Sequence, residues 1–225
     1  MPLFLSSIFG SPWIGVYSLA TEKMLIVPPQ APEAKSHRLE EQMGVKLIRT
    51  TIGDSILIGA LACANSNGIV LPHYVRDDEI KAIKTALDIN VAVMETKRTA
   101  YGNMVLANDY GAVADPRLKK EDLKEISDAL GVEVVSGEIA GLPYVGSLAF
   151  ATNKGVLAHP LIKEEEQKLL TEVLKVPLDV GTVNCGVPYV STGLIGNSRS
   201  VIAGFLTTGP EMFIIEHIFD MVDSK

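Results

Sequence analysis

Residues 55–97 pass through five patterns in a fixed order. An unbroken apolar stretch, 56–64, opens the run. A polar turn, Asn65-Ser66-Asn67-Gly68, follows, where asparagine and glycine tolerate left-handed backbone angles. Ile69-Val70-Leu71, stopped by Pro72, predicts a short strand. Between Arg76 and Leu87, the residues Ile80, Ile83 and Leu87 stand at the spacing of one buried helical stripe. Val91-Ala92-Val93-Met94 then reads as a β-rich closing strand.

The same order returns along the chain. A turn at 107–111, a stop at Asp115-Pro116, a stripe of Leu123, Ile126 and Leu130, and a strand at 132–135 form a third unit. A fourth has its turn at 151–155, then Val156-Leu157-Ala158-His159-Pro160, then Gln167, Leu170 and Leu174 on a helix. The first unit offers Ile14-Gly15, Leu25-Ile26-Val27-Pro28, Leu39 and Met43. The fifth offers Val201-Ile202-Ala203, then Met212, Ile215 and Phe219 on a helix opened by Pro210, a favoured first helical residue. Met24, Gly68, Gly111, Gly155 and Ser200 mark equivalent points, spaced 44, 43, 44 and 45 residues apart. Nine residues before them stand Gly15, Gly59, Gly102, Gly146 and Ser191. A unit this short cannot bury its own apolar face, so the repeat predicts one domain of stacked units.

The fifth unit lacks a closing strand within the 225 residues. Residues 3–8 are expected to supply it. Ile8 matches Ile52 and Ile139, and Ser11-Pro12-Trp13-Ile14-Gly15 matches Leu142-Pro143-Tyr144-Val145-Gly146 and Val187-Pro188-Tyr189-Val190-Ser191. That arrangement predicts a closed α/β ring of five ββαβ-like repeats with pseudo-five-fold symmetry, strands in the middle and helices outside. The repeats run approximately 13–54, 55–98, 99–141, 142–186 and 187–225, with 1–12 completing the last.

Composition narrows the function classes. A net charge of -7 argues against a broad nucleic-acid footprint and favours a protein surface as partner. Two cysteines, Cys63 and Cys185, stand at non-equivalent repeat positions without metal spacing, which suits a reduced, cytoplasmic setting. The first residues carry no basic segment, so no signal peptide is expected, and 56–64 is too short to span a bilayer.

Several segments carry a resemblance. Gly181-Thr182-Val183-Asn184, Ala100-Tyr101-Gly102-Asn103 with Ala107-Asn108-Asp109-Tyr110, Val156-Leu157-Ala158-His159-Pro160, and Leu174-Lys175-Val176-Pro177-Leu178 resemble the translation initiation factor 6 family over about residues 3–222. The end of the chain soon after its last helix resembles the archaeal members. The resemblance implies the pentein fold, an α/β propeller. It also implies a non-enzymatic factor that binds the large (50S) ribosomal subunit, prevents joining of the small (30S) subunit and takes part in large-subunit maturation. The implied contact is a ribosomal protein near the sarcin–ricin loop, with limited rRNA contact, no membrane and no cofactor, by a monomer.

The sequence also offers candidate chemistry beside that implication. Penteins include guanidine-modifying hydrolases, and Cys185 with His159 as base is the one nucleophile arrangement the sequence offers. The plainer alternative is a strand-end cysteine and a histidine in a strand-to-proline turn. His37, His73 and His217 lack partners at metal spacing, and His217 is expected to be partly exposed. Asn65 to Gly68 and Asn108 to Gly111 lack the glycine-lysine run of a phosphate loop. The charge runs 119–125 and 163–166 read as solvated helix faces. Val16, Ala60, Asn103, Ser147 and Thr192 follow the repeat glycines, or Ser191 in the last unit, and are expected to form a ring at one end, with Asn103 the family's contact position. Trp13, Tyr144 and Tyr189 share another offset, as partner anchors or as a core layer; Asn184 is expected to anchor the closing strand.

Overall fold

The strands of this α/β chain form five separate three-stranded sheets. A computed structural model describes residues 1–220; the end of the fifth repeat and of the resembling region, 221–225, lies outside the described residues. Strand β1 (Leu3–Ser6) precedes the first unit. That unit comprises α1 (Ile14–Tyr17), β2 (Leu19–Ala20), β3 (Met24–Val27), α2 (Glu33–Met43) and β4 (Lys46–Arg49). The second comprises α3 (Ile58–Leu61), β5 (Cys63–Ala64), β6 (Gly68–Pro72), α4 (Asp77–Ala86) and β7 (Asn90–Met94). The third comprises α5 (Tyr101–Met104), β8 (Val105–Ala107), β9 (Ala112–Ala114), α6 (Lys120–Leu130) and β10 (Val134–Ser136). The fourth comprises α7 (Val145–Leu148), β11 (Ala149–Ala151), β12 (Val156–Ala158), α8 (Glu164–Leu174) and β13 (Leu178–Val180). The fifth replaces the four-residue helix by a 3-10 turn, Val190–Gly193, followed by β14 (Leu194–Gly196), β15 (Val201–Gly204) and α9 (Gly209–Asp220).

In each sheet the middle strand pairs antiparallel with the strand before it and parallel with the closing strand. For the fifth sheet the closing strand is β1, with Leu3 opposite Val201 and Ser6 opposite Gly204. The helical stripes point inward as their spacing requires: Leu39 and Met43, Ile83, Ile126 and Leu130, Leu170 and Leu174, and Ile215 and Phe219 are all buried. No cluster belongs to one unit alone. Met24 and Ile48 share a core with Ile69 and Ile83. Val70 and Met94 share one with Ile126 and Leu130. Ile195 and Ile202 of the fifth unit share one with Ile14, Leu39 and Met43 of the first. The order of neighbours therefore returns to its start, which answers why a unit of this size is stable only in company.

The expected order within a unit needs correction. The apolar stretch 56–64 is a tight helical turn followed by a two-residue strand, so the unit reads αββαβ, and the middle of the molecule contains the short helices as well as strands. The turns at Asn65 and Asn108 do not use left-handed angles; the positive-φ pairs lie elsewhere, at Phe9-Gly10, Gly53-Asp54, Ala140-Gly141 and within Asn184-Cys185-Gly186. Gly68 is instead demanded by proximity, since an added Cβ would meet the Ala129 carbonyl of the next unit's helix. Asn65 acts through its side chain. Its Oδ1 accepts from Asn67 and Gly68 N–H at 2.9 and 3.1 Å, and its Nδ2 donates to the Leu130 carbonyl at 2.8 Å. Asn108 donates to the Leu174 carbonyl at 2.8 Å, and Asn197 to the Met43 carbonyl at 3.1 Å. Each of these asparagines thus satisfies the open C-terminal carbonyls of its neighbour's long helix.

Nor are the charge runs wholly solvated. Glu166 is buried and accepts from Ala140, Gly141 and Lys163 N–H at 2.8, 3.0 and 2.8 Å. Glu79 does the same for Gly53, Asp54 and Arg76 N–H, with the Thr51 hydroxyl as a further donor. Glu211 serves Cys185, Gly186 and Thr208 N–H and the Thr182 hydroxyl. In each case one carboxylate caps its own helix and clamps the left-handed turn that enters the unit. Burial opposes the charge, but the hydrogen bonds prevail: the Glu79 carboxyl is held below its ordinary value and that of Glu211 falls to about 2.

Candidate functional site

The short helices bring equivalent residues from all five units together. Gly59 packs on the Gly15 carbonyl, Gly102 on that of Gly59, Gly146 on that of Gly102, and Gly15 on that of Ser191. An added Cβ at Gly15, Gly59 or Gly102 would fall 1.9 Å from the oxygen it faces, so only hydrogen fits there. Gly15, Gly59, Gly102, Gly146 and Ser191 line one narrow cavity of about 80 Å³. The helices can follow one another this closely because each is only one turn long and starts from the same backbone bend at Trp13, Leu57, Ala100, Tyr144 and Tyr189.

Val16, Ala60, Asn103, Ser147 and Thr192 stand on these five turns, each partly exposed. Two of them touch: the Ser147 hydroxyl donates to Asn103 Oδ1 at 3.0 Å. The Asn103 side chain thus joins two units rather than closing a local turn. Thr192 is occupied locally, its hydroxyl donating to the Tyr189 carbonyl.

The core-layer alternative for the aromatic positions is overturned. Trp13, Tyr144 and Tyr189 are exposed, at 37%, 43% and 43%, because they precede the turn whose next residue, Ile14, Val145 or Val190, enters the core in their place. Leu57 takes the same exposed position in the second unit, a residue that the aromatic pattern did not mark. Arg117 lies over the Tyr144 ring at 4.9 Å and is forked onto the buried Asp115 carboxylate. Burial resists that charge, yet the Arg117 hydrogen bonds keep the Asp115 carboxyl below its ordinary range. The pair holds an aromatic ring and a cation in one fixed arrangement at the surface.

Cys185 and His159 are not joined. Among the described residues no hydrogen bond links the Cys185 thiol to a histidine, and the Cys185 backbone N–H is held by Glu211. His159 is buried, its Nδ1 accepts the Leu161 N–H at 3.0 Å, and its ring meets the edge of Tyr189. Burial pulls its pKa down, which suits a neutral acceptor in the turn before Pro160. Asn184 donates to the Pro12 carbonyl and so ties the segment after β1 to the last unit. His217 is exposed and stacks on Phe213. Among the described residues no group of histidine, cysteine and acidic side chains could hold a metal ion, and no helix is long and apolar enough to cross a membrane.

The two thiols differ sharply in setting. Cys63 is buried and its pKa is pushed up to about 12, whereas Cys185 is exposed. Native protein treated with iodoacetamide at pH 8 is expected to be labelled at Cys185 and spared at Cys63, by mass spectrometry of peptides. Labelling of Cys63 at a comparable rate would mean that the central packing opens readily.

Five sheets of one design, with a surface to which every unit contributes one turn, define an α/β repeat protein whose most distinctive face is collective. The eIF-6 family model matches residues 4–218, and the chain belongs to that family. It is 43% identical over 218 residues to Translation initiation factor 6 of Pyrococcus abyssi, covering 95% of this chain and 96% of that one. It is 45% identical over 218 residues to the factor of the same name from Pyrococcus furiosus, with 95% and 96% covered. Against the Nitrosopumilus maritimus factor the identity is 44% over 219 residues, with 97% and 99% covered.

Proposed function

We propose that this chain is a cytoplasmic translation initiation factor that binds the large ribosomal subunit and sterically keeps the small subunit from joining. The observation that carries this reading is the near end-to-end likeness to archaeal proteins named Translation initiation factor 6. The cyclic adjacency of the five units is then the pentein ring of a non-enzymatic factor. Its short-helix face is the contact surface, on which the hydrogen-bonded Asn103 and Ser147 and the exposed Tyr144 and Tyr189 meet the partner. Exposed aromatic residues together with a hydrogen-bonded polar pair suit a protein surface, because the rings bury large area at low entropic cost. A chain of net charge -7 suits a basic ribosomal protein, and that complementarity raises the association rate more than the affinity.

Sedimentation with purified large subunits at near-physiological salt tests the reading. The protein is expected to travel with free large subunits and to be missing from joined ribosomes. Asn103→Ala is expected to weaken that binding by about tenfold, the loss of roughly 1.4 kcal/mol, with circular dichroism unchanged. Protein that stays at the top of the gradient would refute the function. Unchanged affinity of the Asn103 variant would remove Asn103 from the contact.

A further inference from the structure

The first unit departs from the glutamate clamp. Thr51, Gly53 and Asp54 lead into the second unit and its Glu79, and at the same spacing Ser7, Phe9 and Gly10 lead into the first unit and its Lys35. The turn itself is retained: Phe9 and Gly10 have φ of 55 and 73°, and an Ile8–Ser11 bridge matches Ile52–Ser55. The donors are set as in the second, fourth and fifth units, but no acceptor meets them. Among the described residues nothing accepts from Phe9 or Gly10 N–H, and both residues are exposed. Lys35 Nζ donates instead to Ser7 Oγ at 2.8 Å, which places an ammonium against the hydroxyl position that elsewhere shares the glutamate. A surface groove of about 570 Å³ continues from there between β1 and α2, lined by Leu5, Ser7, Lys35, Arg38 and Phe205 among others. Leu5 and Phe205 are each 46% exposed, and no acidic residue lines the groove.

We propose that this groove docks an acidic segment of a protein partner. A glutamate or aspartate carboxylate of that segment takes the place on Phe9, Gly10 and Lys35 that Glu79, Glu166 and Glu211 fill in their own units. Its apolar neighbours lie on Leu5 and Phe205. Charge complementarity selects the occupant: Lys35 and Arg38 present two cations in a chain that is otherwise acidic. Geometry selects a carboxylate, since the sister turns hold both oxygens of one carboxylate on adjacent N–H groups, at 2.8 and 3.0 Å in the fourth unit. The site lies outside the short-helix turns, and its test requires no ribosome.

The test is ¹⁵N-resolved NMR of the whole chain, titrated at constant ionic strength with a blocked Leu-Glu-Leu-Leu peptide and with its glutamine counterpart. The Phe9 and Gly10 amide protons are expected to move downfield and saturate, with the glutamate peptide at least about tenfold tighter than the glutamine one. Lys35→Met is expected to weaken the glutamate peptide by about tenfold. Lys35→Glu rebuilds the clamp within the chain, so the two amides begin downfield and stop responding. Amides that ignore the peptide, that answer both peptides equally, or that still respond in Lys35→Glu overturn the proposal. If Lys35→Glu does not fold, Lys35→Met decides alone. A short single-stranded RNA runs in parallel, and tighter saturation by RNA would make the site a phosphate contact and overturn the proposal as well.

Discussion

Gly102→Ala is expected to cost more than about 3 kcal/mol of stability and to leave little soluble protein. The added methyl would sit 1.9 Å from the Gly59 oxygen and 2.7 Å from that of Ala62. Both obstacles are backbone, so no side chain can rotate away. The short helices are also stacked in a cycle, and displacing one presses on the next until the displacement reaches its origin. Gly209→Ala is the matched control, because nothing lies within 4 Å of a Cβ there. It is expected to stay within about 0.5 kcal/mol of the parent in urea unfolding. Near-equal midpoints for the two variants would show that the short helices separate more easily than their spacing implies.

Glu211→Gln is expected to have the second-largest effect, about 3 kcal/mol, because the amide cannot accept on both sides from Cys185, Gly186 and Thr208. The carboxyl is held at about 2 against an ordinary 4.5, a difference worth on the order of 3 kcal/mol. Its folded pKa is depressed, so the unfolded chain takes up the proton first. The contribution is complete above about pH 4.5 and drains away as the pH falls toward 2. Acid unfolding of the parent should therefore steepen through that window, and Glu211→Gln should flatten the profile while lowering stability at pH 7. A variant with the parent's acid limb would place the titration elsewhere.

Periodicity made the long helices and the closing strand legible, because Leu39, Ile83, Ile126, Leu170 and Ile215 recur against a fixed register and Ile8 matches Ile52. The four-residue helices were not legible. One helical turn leaves no 3.6-residue pattern, and Ile58-Gly59-Ala60-Leu61 reads only as apolar. Asn103 and Ser147 were marked by their offset, but their mutual hydrogen bond was not, since it spans 44 residues. The glutamate clamp was missed although its signal was present. Eleven residues after each register point stand Lys35, Glu79, Asp122, Glu166 and Glu211, and that column shows both the acid and the unit that lacks it. Charge on a helix suggested solvent, whereas the backbone donors of the preceding turn draw those carboxylates inward.

The pairing of β1 with β15 has a consequence for synthesis. Leu3 leaves the ribosome 198 residues before Val201, its partner, so at about 5–20 residues per second the first strand waits roughly ten to forty seconds for its sheet. Through that interval Phe4 and Leu5 form part of an unpaired edge on a nascent chain. The molecule therefore has to complete its most distant strand pairing late, and the opening residues are where an unfinished chain is most open to aggregation, chaperones or an early partner.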